Sequence, residues 1–242
     1  MRDGRLSTLG LGAREAFAAP WRLLVRQLPG PLGSRLRSRH WSRRLGALGE
    51  GARIDEGVQI VNPGSVFIGA RCWIASNAVI GAGPPSTAGR DVIRRRNGGF
   101  AGSEGEVRLG DDVEIAVGAL ISGHGGVEIG DNVSLGPGAK LFSASNHYRG
   151  PDGEPGLRSA GAGMRREPSG DGQMGRQSLV VGPVVIAGEA FVGTGAIVLP
   201  GVTVGRGAWL GAGVVARRSI EAGQIVRSPD PIAVESAEDR VE

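Results

Sequence analysis

The sequence predicts an all-β chain of a single architecture, a parallel β-helix wound as a triangular prism. Three observations predict it. First, apolar residues recur at a spacing of six: Ile68, Ile74 and Ile80; Leu109, Ile115 and Ile121; Ile129, Leu135 and Leu141; then Ile186, Val192, Val198, Val204 and Leu210. A strand alternates with period two and a helix repeats at about 3.6, so neither accommodates this spacing as one long element. Short strands separated by turns do, each strand being one copy of a unit. Second, the residue four after an anchor is small or β-branched (Cys72, Ala78, Val113, Ala119, Val133, Ala139, Ala190, Ala196, Val202, Ala208, Val214), as a narrow interior requires. Third, the residue directly after an anchor is often glycine (Gly69, Gly81, Gly110, Gly130, Gly136, Gly193, Gly205, Gly211), read as a turn position needing unusual backbone angles.

The earlier fragments Leu48, Ile54 and Ile60, with Asn62 and Pro63, carry the repeat backwards. The departures from six locate the functional edge. Ile60 to Ile68 and Ile121 to Ile129 are eight apart, and long insertions separate Ile80 from Leu109 and Leu141 from Ile186. With three anchors to a turn, every extra follows a third anchor, which puts all of them at one edge of the prism. Insertions confined to one edge of a solenoid commonly carry function. The resulting division is a basic, partly helical segment 1–47, a β-helix over 48–218 with insertions at 84–106 and 145–179, and a tail 219–242 that loses the repeat and turns acidic.

Composition agrees with a repeat. Among 242 residues there are 44 Gly and 14 Pro but only 4% aromatics, a balance that suits one short turn-bearing unit copied many times. The single cysteine, Cys72, excludes an internal disulfide framework and is read as an inward-facing small residue. There is no apolar run of membrane-spanning length and no clear signal peptide, so the expected location is the cytoplasm. The formal charge of +4 is uneven: ten arginines fall within residues 1–47 against Asp3 and Glu15. This segment, with Trp21, Leu23, Leu24, Val25 and Leu28 among its arginines, is read either as a solvated helix face or as a contact with an anionic membrane surface at the inner face. No nucleic-acid partner is expected.

The pattern [LIV]-G-x-x-[small]-x resembles the left-handed parallel β-helix of the hexapeptide-repeat acyltransferases, over roughly residues 48–218. The stretch VVIAGEAFVGTGAIVLPGVTVGRGAWLGAGVV, residues 184–215, is very similar to the C-terminal coils of sugar O-acetyltransferases in that superfamily. SASNHYRG, residues 143–150, resembles the Thr/Ser-x-x-His stretch that carries the catalytic histidine of maltose, galactoside and polysaccharide acetyltransferases. The resemblance implies an acetyl-CoA-dependent transfer to a hydroxyl of a sugar or glycan, with His147 as general base, no metal and a homotrimeric assembly. Tyr148 stands where maltose-type members have proline, which points to capsule, exopolysaccharide or lipopolysaccharide acceptors. Asn146, Tyr148 and Asp152 are expected to line the site, and Asp152 or Glu154 to orient the imidazole. His124 is read equally as an acceptor-site residue and as a turn residue beside Gly125 and Gly126.

For the donor, the resemblance places CoA against Gly193, Thr194, Gly211 and Ala212, where missing side chains let a ligand approach. Arg217 and Arg218 stand in place of the family's Thr-Lys and are expected to meet a CoA phosphate. The Arg94–Arg96 triplet lies in the first insertion, read as a flap over the acceptor, and Arg165 and Arg166 in the second; each loop is read equally as a contact for an anionic sugar nucleotide or lipid-linked sugar and as mobile chain. A γ-type carbonic anhydrase shares the fold but needs three histidines around zinc, and only His124 and His147 fall in the helix, His40 lying outside. Serine acetyltransferases carry a longer helical N-terminal domain. An N-acyltransferase acting on an amino sugar nucleotide, and a non-catalytic scaffold, remain as alternatives.

Overall fold

The computed structural model describes residues 25–87, 91–146 and 178–228. Within them the chain winds through three flat parallel sheets. The first face holds Ala47–Leu48, Val66–Ile68, Val107–Leu109, Val127–Ile129, Val184–Ile186 and Thr203–Val204. The second holds Arg53–Ile54, Trp73–Ile74, Glu114–Ile115, Ser134–Leu135, Phe191–Val192, Trp209–Leu210 and Ile225–Val226. The third holds Gln59–Val61, Val79–Gly81, Leu120–Ser122, Lys140–Phe142, Ile197–Val198 and Val215–Ala216. Register sets anchor on anchor: Ile121 pairs with Ile80 below and Leu141 above, and Ile115 with Ile74 and Leu135. Six residues lead from the first face to the second and from the second to the third; the return to the first face takes eight from Ile60 to Ile68 and from Ile121 to Ile129, and six from Val198 to Val204. The anchors stack inward as ladders, and the small residues fill the corners: Cys72, Ala78, Ala119, Ala139, Ala196 and Ala208 are at most 1% exposed.

Burial pushes the Cys72 thiol up, and its Sγ lies 3.1 Å from the Gly110 carbonyl. Thiolate, not thiol, is the nucleophile. The native protein is thus expected to leave Ellman's reagent unreacted and to release one equivalent of chromophore only in denaturant; stoichiometric reaction of the folded protein would contradict this packing.

The glycines after the anchors serve another purpose than the sequence suggests. None of them lies in the left-handed region. A Cβ at Gly69 would come within 2.3 Å of the Gly110 carbonyl oxygen, and one at Gly193 within 2.6 Å of that of Leu210. Coils stacked like strands, about 4.8 Å apart, leave no room there, although at Gly81 a Cβ would meet nothing closer than 3.8 Å. The left-handed turn falls instead three residues after the anchor. Gly118, Gly138, Gly195, Gly207 and Gly213 occupy it, as do Arg71, Asn77, Asp112, Asn132 and Glu189 with φ of 55 to 63°. Asn and Asp tolerate this region readily. Arg71 and Glu189 are each tied to the next coil, Arg71 to Asp112 and Glu189 to Arg206, both at 2.6 Å. The guanidinium beside each carboxyl holds Asp112 and Glu189 below the usual carboxylate range.

The first coil is covered by a helix. Helix α1 (Gly30–Ser42) seats Trp41 against the first coil. Arg37 is 2% exposed; its Nε donates to the Ile54 carbonyl at 2.9 Å and its guanidinium meets Glu56 at 3.6 Å. This arginine belongs neither to a solvated face nor to a membrane-facing one. It supplies the donor that the first coil lacks from below, because an open sheet edge buried by a helix must have its carbonyls satisfied. At the other end the winding continues past residue 218: Ile220 bridges Val204, and Ile225–Val226 pairs with Trp209–Leu210. The step from Ala216 to Ile220 is four residues, which hides this last turn from a search at six. Among the described residues no helix is long and apolar enough to cross a membrane.

Candidate functional site

All four extras leave the prism at the edge between the third and first faces. The short turn 123–126 follows Ile121, and close approach dictates its glycines. A Cβ at Gly123 would strike Val107, and one at Gly125 would lie 2.3 Å from the Ser143 carbonyl oxygen. Gly126 has φ 98°, which a side chain would resist. Ser143, one coil up, is fully buried. Its hydroxyl donates to the Ser122 carbonyl at 2.7 Å and accepts from the Gly125 N–H at 2.8 Å. One hydroxyl thus fastens the His124 turn to the chain that leads to His147.

His124 projects from this turn, half-buried, with Nδ1 2.9 Å from the Gly83 carbonyl oxygen. With its proton on Nδ1 the ring donates to that carbonyl and leaves Nε2 as an acceptor. His124 is therefore both a turn residue and a held imidazole. Above it, Ala144–Asn146 runs antiparallel to Leu179–Val181, which runs parallel to Val92–Arg94. This fourth sheet consists wholly of inserted chain. Asn146 ends its first strand, directly before His147. His147, Tyr148, Asp152, Glu154, Arg165 and Arg166 lie outside the described residues.

The first insertion is a strap rather than a free flap. From the second coil it climbs the edge: the Arg95 N–H donates to the Val181 carbonyl at 2.7 Å, and its guanidinium reaches the Pro200 carbonyl at 3.4 Å. Asn97 donates to the Pro183 carbonyl at 3.3 Å and accepts from the Thr203 hydroxyl at 3.0 Å, on the sixth coil. The chain then descends, the Ala101 N–H meeting Glu128 at 2.9 Å. A cleft of about 630 Å³ opens between this strap and the prism, lined by Arg94, Arg95, Arg96, Glu104, Gly125 and Gly182 among others.

Gly193, Thr194, Gly211 and Ala212 gather at a different corner, between the second and third faces. The Gly193 N–H donates to the Leu210 carbonyl at 2.8 Å and the Gly213 N–H to that of Thr194 at 2.9 Å. The missing side chain of Gly193 makes room for the next coil, not for an approaching ligand; Thr194 and Ala212 are the exposed members. Arg217 and Arg218 are exposed and follow Ala216, at the insertion edge. Within one chain the third face therefore separates the glycine corner from the histidine edge. Among the described residues no group of three or more His, Cys, Asp or Glu is placed to hold a metal ion. In the sequence Ser143 stands out only as the start of the histidine stretch and Asn97 not at all; both are common polar residues whose importance lies in hydrogen bonds between coils.

No family model and no curated protein matches the chain. Solved structures do. AntD, an N-acyltransferase from Bacillus cereus in complex with dTDP and coenzyme A, is 17% identical over 80% of this chain and 85% of its own, with a TM-score of 0.57. AntD with dTDP-4-amino-4,6-dideoxyglucose and coenzyme A is 16% identical over 80% and 84%, also at 0.57. A hexapeptide-repeat acetyltransferase from Vibrio cholerae O1 biovar eltor, complexed with acetyl coenzyme A, is 16% identical over 94% and 88%, at 0.43. The AntD likeness extends along most of both chains, and the fold is the left-handed parallel β-helix.

Proposed function

We propose that this chain is an acyl-CoA-dependent acyltransferase that moves an acetyl group from acetyl-CoA to a hydroxyl of a sugar or glycan. The observation that carries the reading is convergence at one edge: the cleft under the arginine strap is lined by Gly125, next to His124, and by Val181, which pairs with the stem ending at Asn146. His147, next after that stem, is the general base. Imidazole titrates near neutral pH and takes the hydroxyl proton as the oxygen attacks the thioester carbonyl. The new C–O bond forms, the C–S bond breaks, and the CoA thiolate recovers the proton, with no covalent enzyme intermediate.

The donor lies along the outside of the last coils, against exposed Thr194 and Ala212 at the corner that also holds Gly193 and Gly211, and reaches across the third face to set its phosphates toward Arg217 and Arg218. AntD, which shares the fold, was solved with coenzyme A and supports this donor class. Because the third face separates the histidine edge from the donor corner, side-by-side packing in a homotrimer would set His147 of one copy against the donor coils of the next. A second reading, N-acylation of an amino sugar on a nucleotide, draws support from the AntD complex with dTDP-4-amino-4,6-dideoxyglucose and uses the same base.

Calorimetric titration of the full chain with acetyl-CoA tests the proposal. Saturable binding near one molecule per chain is expected. A folded protein that binds none would be a scaffold or would use another donor.

A further inference from the structure

We infer that the cleft under the arginine strap binds phosphate, specifically a diphosphate group carried by one of the two substrates. The ligand's identity rests on the acyl-transfer reading; the site itself rests on its own geometry. Three consecutive arginines, Arg94, Arg95 and Arg96, line a cleft whose lining among the described residues holds one carboxylate, Glu104, which is paired with Arg94. Arg96 makes no ion pair among the described residues. Like charges on adjacent residues repel; Arg94 is engaged by Glu104 and Arg95 by the Pro200 carbonyl, whereas no hydrogen bond or ion pair among the described residues calls for Arg96.

The strap fixes their backbone. Arg95 packs its Cβ against Gly182 and Gly201, so close that a Cβ on either glycine would fall within 2.7 Å of it. Asn97 then pins the chain to the fifth and sixth coils. The far wall is Gly125, Gly182 and Pro183, which contribute little side chain to fill the space. Cations that exceed the counter-charge among the described residues, on a fixed frame over an open cleft, gain from an anion, since charge-assisted hydrogen bonds to phosphate are stronger than neutral ones and guanidinium forks fit phosphate oxygens. A lone carboxylate would satisfy one fork. Two linked phosphoryl groups offer enough oxygens and charge for three.

The position suits substrate. Val181 lines the cleft and belongs to the strand Leu179–Val181, which pairs with Val92–Arg94 on one side and with the stem of His147 on the other. A diphosphate held there lies one strand from that stem. Two sources carry this chemistry: an acceptor sugar on a nucleoside diphosphate, and CoA itself.

Calorimetric titration with inorganic pyrophosphate, uridine diphosphate and CoA, on the parent, Arg96→Gln and Arg95→Gln/Arg96→Gln, distinguishes them. Arg43→Gln, an exposed arginine on the chain after α1, controls for net charge. The parent is expected to bind pyrophosphate with an affinity that falls as salt rises, and Arg96→Gln to weaken it at least about tenfold. Arg96 makes no described contact, so this variant folds even if the double variant does not. Weakened uridine diphosphate with unchanged CoA assigns the cleft to the acceptor; weakened CoA assigns it to the donor. Absence of pyrophosphate binding by the parent, or equal binding by Arg96→Gln, overturns the site. With acetyl-CoA still bound, that failure leaves acyl transfer standing; pyrophosphate binding without acetyl-CoA binding does the reverse.

Discussion

Replacing His147 by alanine is expected to lower acyl transfer about 10²- to 10⁴-fold, the usual contribution of a positioned general base. Acetyl-CoA binding should change little, because the imidazole acts on the acceptor hydroxyl in the transition state and is not among the residues that hold the donor. The loss should therefore fall on kcat, with acetyl-CoA affinity by calorimetry as the control. In the parent, the rate should rise with pH through the titration range of imidazole, and that limb should vanish in the variant. The comparison with His124→Ala decides the assignment. His124 is already held through Nδ1 by the Gly83 carbonyl, with Nε2 left as an acceptor, so it is the competing base. If His124→Ala carries the large loss and His147→Ala does not, the roles are exchanged.

Ile121→Ala is expected to destabilise the chain by about 2–5 kcal/mol, out of a total that for folded domains is about 5–15 kcal/mol. Ile121 is fully buried and stacked between Ile80 and Leu141. Its removal leaves a cavity in a prism whose neighbouring coils are hydrogen-bonded on all three faces and cannot collapse inward to fill it. Denaturant unfolding measures the cost, with Val215→Ala, on an exposed position of the same face, expected to stay within about 0.5 kcal/mol. A loss under about 1 kcal/mol at Ile121 would mean that the stack relaxes, contrary to its register. The consequence reaches the site, because Ser122 and the His124 turn follow Ile121 directly.

The sequence made the winding legible because each coil repeats the same inward demand. Ile, Leu or Val at one position and Ala or Val four later have no other reason to recur, and the odd steps after Ile60, Ile80, Ile121 and Leu141 gave the edge. Two physical causes were harder to read. The glycines after the anchors looked like turn residues, yet crowding between coils keeps most of them bare, while the left-handed turn sits two positions later, where Gly118 and Gly138 alternate with residues such as Asn77 and Asp112 and so leave no single-residue signature. Arg37 looked like one more basic residue of a charged segment, because nothing local marks an arginine that will cap the open carbonyl of Ile54. The strap was equally opaque: its course depends on Asn97 and Arg95 meeting coils that lie about a hundred residues further along the chain.

A stack whose units touch only their neighbours melts as a row of weakly coupled segments, and its terminal coil can fray without informing the rest. The strap alters that statistical mechanics. It leaves the winding after the second coil and is hydrogen-bonded at Pro183, Pro200 and Thr203, so it ties an early coil to the fifth and sixth. Opening the later coils must then release chain belonging to the early ones. The cleft that the strap frames is consequently held by the most cooperative part of the molecule, and hydrogen exchange there should track global unfolding rather than end fraying.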